Sequence, residues 1–215
     1  MKAKATRSPE APEKQKKKGV AQPSFDIVAV AASAGGLNAL SLLVGALPAG
    51  FPAPLLIVQH LDPRHRSLIA DILSRRTALR VKQAEEGETI HKGSVYIAPP
   101  DHHLLVNGDH TLSLTHTELV HFVRPSADLL FESVAASYKD RAIAVVLSGS
   151  GSDGAMGVQA IKKMGGTVLA QDKGTAEFFG MPGAAAETGC VDFALPLKEI
   201  APALVALVTG STDGG

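Results

Sequence analysis

Apolar residues run along this chain in two rhythms, and each rhythm predicts its own element. "FDIVAVA" (25–31) is an unbroken run of small and β-branched apolar residues, the pattern of a strand covered on both faces. "LNALSLLVGAL" (37–47) then places apolar residues at helical spacing, and Pro48 and Gly50 end it. "PLLIVQH" (54–60) is a second buried strand, and right-handed crossover makes the two parallel. "RSLIADILSRR" (66–76) reads as an amphipathic helix, and the polar stretch after it as a loop leading to a strand at 94–98. "HLLVNGDHTLSLTH" (103–116) has two alternating runs around Asn107-Gly108, which predicts a hairpin.

The second half repeats strand and helix. A helix is predicted over 126–140 with Ser126 as its N-cap, then a buried strand in "RAIAVVLSG" (141–149) and a helix in "DGAMGVQAIKKMG" (153–165). A strand at 167–172, a helix started by Pro182, a short strand in "VDFALP" (191–196) and a closing helix in "LKEIAPALVALV" (197–208) complete the chain. This alternation predicts a single-domain α/β fold: a doubly wound, mostly parallel sheet with an antiparallel β-hairpin insert.

Length agrees, since 215 residues suffice for one well-buried domain. Charge divides the chain. Residues 1–18 carry seven Lys/Arg against Glu10 and Glu13, a net +5, and the rest balances it at −5. The expected organisation is a disordered basic tail (1–22), a folded domain (23–210) and a flexible C-terminal tail (211–215). A basic tail on a mildly acidic body is not a nucleic-acid-binding domain.

No Asp, Glu, Lys or Arg occurs between Asp26 and Asp62, and lysines before "IVAVAASA" mimic a signal peptide. Ser33, Gly35, Gly36, Asn38, Pro48, Pro52 and Pro54 interrupt the stretch, so no run of ~20 apolar residues survives and no membrane insertion is expected. The single cysteine, Cys190, allows no internal disulfide and fits a reducing, cytoplasmic setting. Neither an H-E-x-x-H nor a paired-cysteine spacing occurs, so no metal site is expected.

The candidate chemistry lies at strand ends, where open α/β sheets build their sites. Ser33 follows the first strand, His60 the second, and Asp153 the strand "AIAVVLSG". A serine, a histidine and an aspartate on one sheet edge suit nucleophilic acyl transfer. The order Ser…His…Asp and the Ala at position 31 disfavour an ordinary α/β-hydrolase with its G-x-S-x-G elbow. The N–H groups of Ala34 and Gly35, after the serine and at a helix start, suit an oxyanion. Each residue also has a plainer use: Ser33 as a helix cap, His60 as a hydrogen-bonding surface residue, and Asp153 as the N-cap of helix 154–164. Gly149, Gly151 and Gly154 also spell the G-x-G-x-x-G of a dinucleotide site, with Asp172 where a ribose-binding acid would fall. Asp153 opposes that reading, because an ionised carboxylate among the glycines repels pyrophosphate.

Together these segments resemble the catalytic domain of the CheB family, the protein-glutamate methylesterases of bacterial chemotaxis. "AASAGGLNAL", "IVQH", "YIAPPDHHLLV", "RPSADLLFESVA", "LSGSGSDGAMG" and "FGMPGAAAETG" match its blocks in order, over about residues 25 to 208. The resemblance implies Ser33 as nucleophile, His60 as general base and then acid, and Asp153 as the orienting carboxylate. It places a second oxyanion amide at Ser150, next to Gly151. It implies cofactor-free hydrolysis of glutamate methyl esters on the cytoplasmic helices of chemoreceptors, with deamidation of receptor glutamines in some members. Family enzymes typically carry an N-terminal receiver domain. About 24 residues precede the first strand here, too few for one, so a separate regulatory protein is the expected controller. Ser150 stands where the family usually has Met, and Ala34 where Thr is frequent. Two other readings remain: a methylesterase-like binding module without turnover, and a nucleotide-binding enzyme.

Overall fold

The computed structural model describes residues 25–60, 68–120 and 122–210. The tails expected at 1–22 and 211–215, and the first residues of the helix expected over 66–76, lie outside them. In chain order the elements are β1 (Ile27–Ala32), α1 (Gly36–Ala46), β2 (Leu55–Gln59), α2 (Ile69–Ser74), β3 (Arg80–Gln83), β4 (Ser94–Ile97), β5 (His103–Val106) and β6 (Leu112–Thr115). There follow α3 (Ala127–Tyr138), β7 (Ala142–Val146), α4 (Ala155–Lys163), β8 (Thr167–Gln171), α5 (Gly180–Glu187), β9 (Phe193–Leu195) and α6 (Leu197–Thr209).

Seven strands form one parallel sheet in the order β3-β4-β2-β1-β7-β8-β9, and β5 and β6 pair antiparallel beside it. All six residues of β1 are fully buried, because side chains alternate between two covered faces. Val28, Val30 and Ala32 pack with residues of α1, α2 and α6, such as Leu40, Leu73 and Leu204. Ile27, Ala29 and Ala31 pack with residues of α3, α4, α5 and the hairpin, such as Phe131, Ile161, Met181 and Leu104. The fold is the doubly wound α/β sheet with a hairpin insert that the sequence pattern predicts.

Three local expectations change. Residues 80–83 form β3 rather than a loop; the segment "RVKQ" has no buried residue and pairs only with β4. This edge strand has one apolar residue, Val81, among polar ones, so no apolar periodicity signals it. Helix α5 begins at Gly180, which makes Pro182 its third residue, where an N–H would still lack an intrahelical acceptor. The hairpin register joins Val106 to Leu112, so its connection is the five residues 107–111, closed by Asp109 accepting the Thr111 N–H at 3.1 Å.

From β1 the chain moves to β2, passes to the edge strand β3 and fills the gap with β4 on one side, then returns to β7 and steps outward through β8 to β9 on the other. The direction of winding reverses between β1 and β7, and the crevice beyond their carboxyl ends is where such sheets bind ligands.

Candidate functional site

Ser33 is the first residue beyond β1. Its N–H donates to Ser148 O at 3.0 Å, which ties it to the residues leaving β7. Gly35 adopts φ 71° and Gly36 N–H returns to Ser33 O at 2.8 Å, so the chain enters α1 through a tight turn. That turn is pinned from beside it. The buried Gln59, last residue of β2, donates from Nε2 to Ser33 O (2.8 Å) and His60 O (3.1 Å). A methyl group on Gly36 would overlap Gln59 Oε1, which explains the glycine.

His60 lies one residue past the Ala32–Gln59 pairing of β1 and β2, and its N–H donates to Ala32 O at 3.1 Å. Asp153, in the loop between β7 and α4, meets it: His60 Nε2 lies 2.8 Å from Asp153 Oδ2, with the two side chains 12% and 4% exposed. Burial pushes the Asp153 carboxyl up, but hydrogen bonds from His60, the Ala127 N–H and Ser126, with the charge of His60, hold it below the ordinary aspartate value. An ionised carboxylate only accepts, so His60 Nε2 carries the proton and Nδ1 is the acceptor nitrogen. Among the described residues Ser33 Oγ makes no hydrogen bond, an arrangement common in unliganded sites.

The support of Asp153 differs from the expectation that it caps the helix following it. Oδ2 accepts the Ala127 N–H (2.6 Å), and Oδ1 accepts the Asp128 N–H (3.2 Å) and the Ser126 hydroxyl (2.8 Å). Asp153 thus occupies the N-terminus of α3. Ser126 holds the N-cap position of α3, but its hydroxyl bonds Asp153 and not its own helix. The N-terminus of α4 is served by Asp128, whose Oδ1 accepts the Gly157 N–H at 2.7 Å. The exchange follows from packing: Gly157 lies so close to Phe131 that a methyl group there would be 2.6 Å from its Cβ.

The glycine loop is used for approach by protein. Gly149 N–H donates to Phe178 O (2.9 Å), and Gly149 O accepts the Met181 N–H (2.8 Å). A methyl group on Gly149 would overlap Met181 Sδ and meet Ser33 Cβ at 3.0 Å; one on Gly180 would meet Gly151 N at 2.9 Å. The first turn of α5 therefore packs directly on the backbone of this loop at Gly149 and Gly151. The N–H groups of Ala34, Gly35, Ser150 and Gly151 have no acceptor among the described residues. Ser148, not foreseen, stitches the loops. Its Oγ contacts Ala34 O (2.9 Å) and accepts the Phe178 N–H (3.0 Å), and its N–H is held by Gln171 Oε1 (2.8 Å). The exposed Glu177 stands beside Gly35, where a methyl group would lie 2.9 Å from its carboxylate. Gln59 and Gln171 are buried polar residues closing apolar strands, the one sequence signal that marks them. No cluster of metal-ligating side chains occurs among the described residues, and none of their helices is long and apolar enough to cross a membrane.

The fold and the switch-point crevice define a doubly wound α/β protein with its polar residues gathered at the carboxyl ends of the strands. The chain itself belongs to the CheB methylesterase family, whose model matches residues 28–204. It is 41% identical over 184 residues to a Leptospira interrogans protein assigned as a protein-glutamate methylesterase/protein-glutamine glutaminase, covering 86% of this chain and 95% of that one. A Methanosarcina mazei protein-glutamate methylesterase/protein-glutamine glutaminase is 42% identical over 190 residues, 85% of this chain but 52% of its own length. The crystal structure of the Thermotoga maritima CheB methylesterase catalytic domain superposes with a TM-score of 0.83 at 39% identity, covering 86% of this chain and 100% of that domain.

Proposed function

We propose that this chain hydrolyses glutamate methyl esters on the cytoplasmic helices of chemoreceptors, and deamidates glutamines there, through Ser33, His60 and Asp153. The observation that carries the reading is the 2.8 Å pairing of the part-buried His60 with the buried Asp153 at the strand end beside Ser33. His60 Nδ1 takes the proton as Ser33 Oγ bonds to the ester carbonyl carbon. The carbonyl oxygen becomes an oxyanion facing the N–H groups of Ala34 or Gly35 and of Ser150 or Gly151. Collapse breaks the ester C–O bond, the imidazolium returns its proton, and methanol leaves. Water, deprotonated by His60, then attacks the acyl-enzyme and releases glutamate and Ser33. With a glutamine the same steps release ammonia. Every proton and electron pair is accounted for without a cofactor, and Asp153 stabilises the imidazolium in both halves. We place this activity in the cytoplasm.

Methanol release from a methylated receptor, compared between wild type and Ser33→Ala, tests this. The expected result is release by wild type alone. Equal release by both removes Ser33 from the mechanism, and none by wild type points to a binding module without turnover.

A further inference from the structure

The steps above leave one buried titratable residue unused. His103 on β5 is fully buried, and both its ring nitrogens are engaged. Nδ1 lies 3.1 Å from the Ser126 N–H, and Nε2 lies 3.1 Å from Glu118 O. A backbone N–H only donates and a carbonyl only accepts, so the imidazole is neutral with its proton on Nε2. Burial, the largest influence, lowers its pKa below the ordinary histidine value, with the charges of Arg124 and His116 acting the same way. The Glu118 carbonyl and the charge of Asp153 oppose this.

Ser126 continues the chain of contacts, since its hydroxyl donates to Asp153 Oδ1 at 2.8 Å. The approach to it is anchored as well: Arg124 binds Asp101 Oδ1 through Nε (2.9 Å) and a terminal nitrogen (2.6 Å). Four donors thus hold the two oxygens of Asp153: the Ser126 hydroxyl, the N–H groups of Ala127 and Asp128, and His60. Three of the four belong to the turn that His103 ties to the hairpin.

We propose that His103 and Ser126 are positioning residues for the hydrolysis. His103 fixes the main chain at Ser126, and the Ser126 hydroxyl with the next two N–H groups holds the Asp153 carboxylate in the orientation that meets His60. The inference rests on the triad reading above. Its physical ground is that a carboxylate held on one side only would rotate about its last bond, and displacement on the order of 1 Å at a catalytic group costs roughly a hundredfold in rate. The hairpin insert acquires a purpose: it carries the acceptor that orients the start of α3.

The test uses Ser126→Ala, His103→Asn and His103→Gln in the full chain, alongside wild type and Ser33→Ala. Two quantities are read: kcat and KM for methanol release, and the strongly downfield proton resonance of the His60 Nε2–H shared with Asp153. Ser126→Ala is expected to lower kcat roughly ten- to a hundredfold with KM unchanged, and to shift or broaden that resonance. His103→Asn places a carbonyl oxygen near the former Nδ1 and is expected to keep kcat within severalfold of wild type. His103→Gln extends past Ser126 towards Glu118 and is expected to resemble Ser126→Ala. Wild-type kcat with an unmoved resonance in Ser126→Ala overturns the proposal. So does equal behaviour of the Asn and Gln variants where both fold. Ser126→Ala removes one oxygen and leaves the N–H in place, so it decides even where the buried His103 tolerates no replacement. The resonance needs no turnover. Failure of the triad reading, seen as equal release by wild type and Ser33→Ala, is therefore distinguishable from failure of this one.

Discussion

Asp128 and Asp153 cap each other's helices. Asp128, in the first turn of α3, accepts the Gly157 N–H of α4 at 2.7 Å, and Asp153, just before α4, accepts the N–H groups of Ala127 and Asp128 in α3. Each carboxylate sits where a helix dipole favours negative charge. The crossed arrangement joins two helices of one layer and holds Asp153 against His60 in the same set of bonds. Fold stability and site geometry share these atoms, and the two are separable by mutation.

Asp128→Ala leaves the Gly157 N–H without its acceptor. Loss of a helix-capping side chain costs about 1 kcal/mol, and urea unfolding should show a decrease of that size. Methanol release should fall by less than about tenfold, because the Asp128 N–H still reaches Asp153. A larger loss of activity than of stability would show that Asp128 serves the site more than the fold.

Asp153→Asn should fold, since an amide oxygen can accept part of the same network. The imidazolium would lose its counter-charge and its tautomer would no longer be enforced, so kcat should fall by roughly four orders of magnitude. A circular-dichroism spectrum like wild type with wild-type turnover would remove Asp153 from the mechanism.

Two shifted groups at the start of α3 respond to pH in ways whose signs can be worked out. Asp153 has a depressed folded pKa, so its stabilisation is complete above the unfolded value of 3.8 and is lost as pH falls through the lower folded value. His103 is held neutral with a lowered pKa. Below the unfolded value of 6.5 the unfolded chain takes up a proton that the folded chain refuses, so stability declines from there downward and is unaffected above it. Urea unfolding from pH 8 to pH 5 should show this decline in wild type, reduced in His103→Asn. Equal pH dependence in both would contradict a neutral His103.

Gly149→Ala should cost about 1–3 kcal/mol, the range for overpacking a filled site, since the new methyl would overlap Met181 Sδ and press on Ser33 Cβ. Shortening the partner in Gly149→Ala/Met181→Ala should restore part of the stability but not the activity, because the contact with Ser33 remains. Thermal unfolding and methanol release on both variants check this. Full activity in the double variant would show that Ser33 does not feel the loop.

Glu177 places an exposed carboxylate beside Gly35, where, in the proposed mechanism, negative charge would compete with a developing oxyanion. Glu177→Gln should raise kcat/KM a fewfold at low ionic strength, with the gain shrinking as salt screens the charge. Lower activity in the variant at all salt concentrations would assign Glu177 to substrate recognition instead.

The local pattern alone determined a great deal. The covered strands are legible because six consecutive buried residues in β1 leave no room for polar letters, and Ser33, His60 and Asp153 stand out as the polar residues that end or follow such runs. The strand β3 escaped because its letters, Arg80 to Gln83, hold a single apolar residue, whereas the opposite edge strand β9 reads Phe-Ala-Leu and was legible. The roles of Gln59, Ser148, His103 and Ser126 escaped for another reason: a buried polar residue is explained only by its partner, and apart from His60 beside Gln59 those partners are 15 to 30 positions away, or 114 between Ser148 and Ala34. The sequence by itself determined which residues could do the chemistry and that strand ends would present them. Only the tertiary structure decided that Asp153 belongs to the N-terminus of α3, that Asp128 serves α4 in exchange, and that a neutral His103 holds the turn between them. Helix dipoles and carboxylates pair by proximity in space, and chain order says nothing of which helix end a carboxylate will find.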